Sequence, residues 1–142
     1  MTFATKPELV RRRLERLRAA GLPAAWVTGD TVYGGSGPRR AWLEEQRQHY
    51  VLAIAANGGV DLPAGPDGSD IPMLVLPKEI AAYALDPHEW RRLSARDGAK
   101  GARLYDWAYV RLASSTTAGF EQALLIRRPL DTPDDPKSWP II

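Results

Sequence analysis

The chain has 142 residues, 44% of them apolar, with 19 basic against 17 acidic side chains and no cysteine. That length supports one domain with a hydrophobic core, and the missing cysteine excludes disulfides, thiolate catalysis and cysteine zinc centres. No apolar run approaches the ~18–20 residues of a membrane span and no signal-peptide pattern opens the chain, so a soluble, cytoplasmic protein is expected.

Thr5 and Glu8 form a Thr-x-x-Glu capping box, with Pro7 in the first turn that follows. Val10, Leu14 and Leu17 recur on one face of a helix that ends at Gly21. Its other faces carry Arg11, Arg12, Arg13, Arg16 and Arg18. Such a run can meet phosphates, but the commoner fate of a basic helix face, and the one favoured here, is solvation. Net charge is nearly balanced, so charge alone names no polyanionic partner.

Ala24–Gly34 then reads as a short strand, covered on both faces up to Val27, which delivers Asp30 to a glycine-bounded turn. The carboxyl end of such a strand is where ligands collect in open α/β sheets. The residues alone favour an Asp that shapes the turn by bonding to the backbone of Thr31 or Val32 over one that does chemistry. Gly34-Gly35-Ser36-Gly37 lacks Gly-Lys-Ser/Thr and GxGxxG, which makes it weak as a nucleotide loop.

Pro38 opens a second helix to about Gln48, with Trp42 and Leu43 as its apolar face and Arg39, Arg40, Glu44, Glu45 and Arg47 outside. Tyr50–Ala56 is a second buried strand. Strand, helix and strand with short joints predict a parallel βαβ unit.

Asn57–Pro77 is rich in glycine and proline, and is read as loop-rich. Asp61, Asp67 and Asp70 lack the ligand rhythm of a calcium loop and are read as solvated. A short helix is expected over Lys78–Ala84, and His49 and His88 have no second ligand nearby in sequence.

Gly98-Ala99-Lys100-Gly101 signals a tight turn, and the strand after it alternates. Leu104, Asp106, Ala108, Val110 and Leu112 fall on one face, and Arg103, Tyr105, Trp107, Tyr109 and Arg111 on the other. With Lys100 at the turn, that second face suits DNA, cations taking phosphates and rings stacking on an exposed base. Tyr and Trp also simply favour strands and pair across sheets, and the residues do not separate the two readings. Ser114–Gly119 makes a loop, and Phe120–Arg128 returns as the partner strand of a hairpin.

Phe3-Ala4-Thr5-Lys6-Pro7-Glu8-Leu9, Ala25-Trp26-Val27-Thr28-Gly29-Asp30 with Tyr33-Gly34, Tyr50-Val51-Leu52-Ala53 and Gly98–Ala108 together resemble bacterial insertion-sequence transposases of the DDE type. The resemblance runs from Thr2 to about Leu130. It implies an RNase H-like α/β fold, partial here: residues 1–57 part of the catalytic core, 58–130 a β-rich insertion that approaches the transposon end, and 131–142 a divergent tail.

In that family two Asp and one Glu hold two Mg²⁺ ions, which activate the attacking oxygen and stabilise the leaving one in phosphoryl displacement. Asp30 falls on the second Asp, and is the catalytic and metal-ligating residue the resemblance assigns. The DNA-binding residues it favours are Lys100, Arg103, Tyr105, Trp107, Tyr109 and Arg111. No counterpart of the other two acids is expected in this chain.

Lys137–Ile142 departs from the family's Glu-Leu-Ala-Tyr-Tyr. Codons AAG-AGC-TGG-CCT-ATT-ATC, read one base earlier after a G, would restore it, so a slipped frame near Asp135–Pro136 and a truncated enzyme are expected. The partners implied are transposon-end DNA and a second copy or a full-length transposase, with no membrane. Two alternatives stand beside this reading. One is a DNA-binding or inhibitory fragment without catalysis. The other is a small phosphatase-like hydrolase using Asp30, against which Val32 stands where a second Asp would be.

Overall fold

In a computed structural model, residues 4–55, 57–62, 73–81, 85–99, 101–113 and 117–135 are described. Helix α1 covers Lys6–Ala19. The Thr5 backbone N–H donates to Glu8 Oε2 at 3.3 Å, as the capping-box spacing requires. Gly21 takes φ +68°, a left-handed exit that glycine enters without a Cβ clash. No residue of α1 is buried. Pro7, Val10 and Leu14 are half-buried on the face towards Val27, Trp42 and Leu43, and two cationic arms add to this: Arg18 Nη2 donates to the Gln46 carbonyl at 2.8 Å, and the Arg11 guanidinium lies 5.3 Å from the Trp42 ring centre.

Strand β1 (Trp26–Gly29) leads through the single-turn helix α2 (Thr31–Gly34) and helix α3 (Gly37–Glu45) to β2 (His49–Leu52). The two strands are parallel, pairing Trp26 with His49 and Gly29 with Leu52, so the βαβ expectation holds. Helix α3 and strand β2 end at Glu45 and Leu52, short of the expected Gln48 and Ala56. After α3, Arg47 turns the chain at φ +54°, and the Gln48 amide donates to the carbonyls of Ala24, Ala25 and His49. Those bonds tie the start of β2 to the entry of β1.

Coverage of β1 on both faces is not observed. Leu43 and Leu52 are buried on one side, but Trp26 is 60% and Val51 41% exposed. By register, Trp26, Thr28, His49 and Val51 share the open face.

The glycine- and proline-rich stretch, which its composition marks as loop-rich, contains an antiparallel pair, β3 (Val60–Leu62) with β4 (Met73–Val75). A one-turn helix, α4 (Pro77–Glu79), opens the segment expected to be helical, and residues 82–84 of that segment lie outside the described ones, as do Asp67 and Asp70. A 3-10 turn at Pro87–Glu89 precedes β5 (Arg91–Gly98), a strand with no clear sequence signal.

Strand β5, β6 (Gly101–Arg111) and β7 (Ala123–Pro129) form an antiparallel meander with β6 in the centre. Gly98 faces Gly101 across the expected turn, and the expected β6–β7 hairpin is present. Val60, Ile80, Ala81, Leu124 and Ile126 make the core, with Ile54, Trp90 and Val110 against it. The architecture is mixed α/β, with three small sheets. Among the described residues no helix is long and apolar enough to cross a membrane.

Candidate functional site

Asp30 sits where β1 ends and α2 begins, its side chain exposed. Oδ1 accepts the Val32 backbone N–H at 3.0 Å, and the Asp30 carbonyl accepts from Tyr33 and Gly34, both at 3.0 Å. The carboxylate therefore caps α2, the local bond that an Asx side chain makes most readily.

The turn is fixed from beneath by close backbone packing. The Ala53 N–H donates to the Gly29 carbonyl at 2.9 Å, and a Cβ built on Gly34 would lie 1.8 Å from the Ala53 carbonyl oxygen. Arg40 Nη1 donates to the Gly34 carbonyl. Only glycine fits at 34, so the strand–turn–helix geometry that presents Asp30 depends on that missing side chain. Among the described residues, no group of three or more His, Asp or Glu side chains is placed to hold a metal ion.

The second candidate region is the outer face of the meander. Arg103, Tyr105, Trp107, Tyr109 and Arg111 do share one face of β6, and register adds Arg91 on β5 and Arg127 on β7, both opposite Trp107. Tyr109 is open, at 62% exposure, whereas Tyr105 and Trp107 are half-buried. The Arg127 guanidinium lies 4.5 Å from the Tyr105 ring centre and 5.8 Å from that of Trp107, and the two rings meet edge to face at 6.4 Å. Lys100 lies outside the described residues.

Asp106 points to the opposite face, only 8% exposed. Arg92 Nε donates to its Oδ1 at 3.0 Å and Arg128 Nη2 to its Oδ2 at 3.2 Å, each arginine sitting directly across the ladder. The Arg92 bond holds the Asp106 carboxyl below the usual carboxylate range, burial opposes this, and the Arg128 bond reinforces it.

A third cluster has no sequence signature. Glu44, expected outside α3, is 2% exposed. Its Oε1 accepts from the Tyr50 hydroxyl at 2.6 Å and from the Gln122 amide at 2.7 Å, which joins the βαβ unit to the entry of β7. Burial, then the bond to Glu44, raises the Tyr50 pKa well above its ordinary value. Beside this cluster lies a cleft of about 920 Å³ whose wall includes Trp26, His49 and Phe120. Arg127 could have been suspected from its basic position in the returning strand. Gln122 and Glu44 are 78 residues apart, and no local pattern links them.

These features define a mixed α/β protein with a capped aspartate at the end of a parallel strand and a separate basic, aromatic sheet face. No protein-family model, no curated protein and no solved structure matches the chain.

Proposed function

We propose that the chain is the Asp30-bearing part of a DDE-type transposase of RNase H-like fold, acting on DNA at insertion-sequence ends. The observation that carries this reading is the position of Asp30. It is an exposed carboxylate at the carboxyl end of β1, in a parallel pair joined through helices, the edge where open α/β sheets gather ligands. The resemblance of Ala25–Asp30 and Gly98–Ala108 to that family agrees with it.

The residues described do not fit a Mg²⁺ pair by themselves. Mg²⁺ gives up its water only where several hard oxygens converge, whereas Asp30 offers one carboxylate, with Oδ1 committed to Val32. What this chain's residues supply is a rigidly presented carboxylate and a cationic surface for the DNA.

The single carboxylate also favours a second reading, a chain that occupies DNA without cutting it. Three-frame translation of the flanking DNA tests the first. A strand ending in Asp upstream and a helix bearing Glu downstream support it, and the lack of both overturns it. With Mg²⁺ and supercoiled plasmid, the 142-residue chain is expected to bind without nicking. Nicking that is lost on Asp30→Ala would show a self-sufficient active site instead.

A further inference from the structure

Stacking of bases on the β6 rings is one way to use the meander's outer face, and the side chains there argue for another. Arg127 lies across both Tyr105 and Trp107, so the rings that would make a stacking platform are already covered by a cation. Only Tyr109 is left open, and one ring does not make the succession of platforms on which single strands lie.

The charges have the opposite character, being plentiful and largely free of carboxylate partners. Arg91, Arg103, Arg111 and Arg127 stand on this face, and among the described residues no carboxylate pairs with Arg91, Arg103 or Arg127. Arg111 meets only the exposed Glu121, at 3.7 Å. Both carboxylates of the three strands, Asp97 and Asp106, stand on the other side. With strands ~4.8 Å apart and ~3.3 Å per residue, Arg91 and Arg127 flank Trp107 about 10 Å apart, and Arg103 and Arg111 stand roughly 27 Å apart along β6. At ~3.4 Å per base that length matches about eight base pairs of backbone.

We infer that the outer face of the meander grips the phosphate backbone of duplex DNA, with Arg127 held in position by Tyr105 and Trp107 as a fixed cation. The inference deepens the DNA-binding part of the proposed function and rests on it. The aromatic rings act as supports for an arginine, not as seats for bases. Phosphate contacts of this kind fix register and carry no sequence information. Specificity is accordingly expected from elsewhere.

The test is fluorescence anisotropy of the whole chain with a labelled 20-base-pair duplex and with a single strand of the same length, across salt. The duplex is expected to bind more tightly than the single strand. Its log affinity should fall against log salt with a slope of about −3.6, roughly a 150-fold loss between about 50 and 200 mM. Arg127→Ala, Arg103→Ala and Arg111→Ala should each shallow the slope by about 0.9. The last two replace exposed side chains, so they stand as controls if loss of Arg127 disturbs the fold.

Tyr109→Ala should change duplex affinity by less than about twofold, whereas a stacking site would lose about fivefold or more. Preference for the single strand, together with that loss at Tyr109, overturns backbone reading and leaves the transposase proposal standing. A slope unmoved by arginine removal, or no binding of either DNA, also overturns it. Flanking DNA without the two further acids overturns the transposase reading alone.

Discussion

Asp106 shows how a single residue can look misplaced in sequence and be well accounted for in space. It falls among Leu104, Ala108 and Val110 on the inward face of β6, where an ion pays a desolvation cost, and it is accommodated because β5 and β7 each put an arginine directly opposite. Its folded pKa lies below the unfolded value, so the stabilisation is complete above about pH 4 and lost as pH falls through the folded value. Asp106→Asn should cost about 1–3 kcal/mol at neutral pH, Arg128 being half-buried beside it. Urea midpoints taken at neutral pH and near pH 3 check this. The gap between variant and parent should narrow in acid, and a gap independent of pH would show that the arginines do not set it.

Tyr50 behaves in the reverse sense. Burial and the bond to Glu44 raise its folded pKa, so its contribution is complete below about pH 10 and is lost as pH rises above that. Tyr50→Phe should cost about 1–2 kcal/mol and flatten the alkaline arm of the stability curve. Gln122→Leu should loosen the same cluster without changing that arm's sign. Hydrogen exchange at the start of β7 would report the loosening directly, since the Gln122 amide bridges Glu44 and the Tyr50 hydroxyl.

At the scale of elements, α2 is four residues long and far too short to hold its shape alone. Its geometry comes from being pressed against β2 at Gly34. Gly34→Ala would drive a methyl into the Ala53 carbonyl, and should destabilise by about 3 kcal/mol or more as the backbone separates. Thermal melts test this, and Gly35→Ala, whose Cβ would meet its nearest atom at 3.4 Å, is the control expected to stay near parent stability.

The same scale shows what was legible in the sequence. Helix α1, the parallel βαβ unit, the Gly98–Gly101 turn and the β6–β7 hairpin rest on local signals: a capping box, a proline at a helix start, a glycine turn and clean alternation. Strand β5 was not legible. Arg91, Arg92, Arg96 and Asp97 carry no alternation that marks a strand, and what makes one is the ladder with β6 and the counter-charge of Asp106. Glu44 was misjudged for the same reason, because what permits its burial is Gln122 on another element. At Asp30 the turn was legible as an Asx cap, but sequence did not show that Gly34 is what holds the turn in place.

For the whole molecule, the weak point is the two-stranded sheet. Parallel strands are ordinarily covered on both faces, yet here one face presents Trp26, Thr28, His49 and Val51, and among the described residues β1 pairs on one side only. An uncapped apolar edge recruits another strand. The meander relieves this only in part: Phe120, just before β7, meets the His49 ring at 5.7 Å, while Trp26 and Val51 stay exposed and the meander's inner face packs on Ile80 and Ala81. The chain is therefore expected to self-associate as its concentration rises, with sedimentation coefficients climbing through the micromolar range. Val51→Lys places a charge on that face without entering the core and should shift association to higher concentration, while Arg103→Ala, at the turn end of β6, should leave it unchanged. A sedimentation coefficient independent of concentration for the parent chain would mean that the exposed strand pair is stable as it stands, because the Gln48 bonds to Ala24 and Ala25 and the seat at Gly34 suffice to hold it.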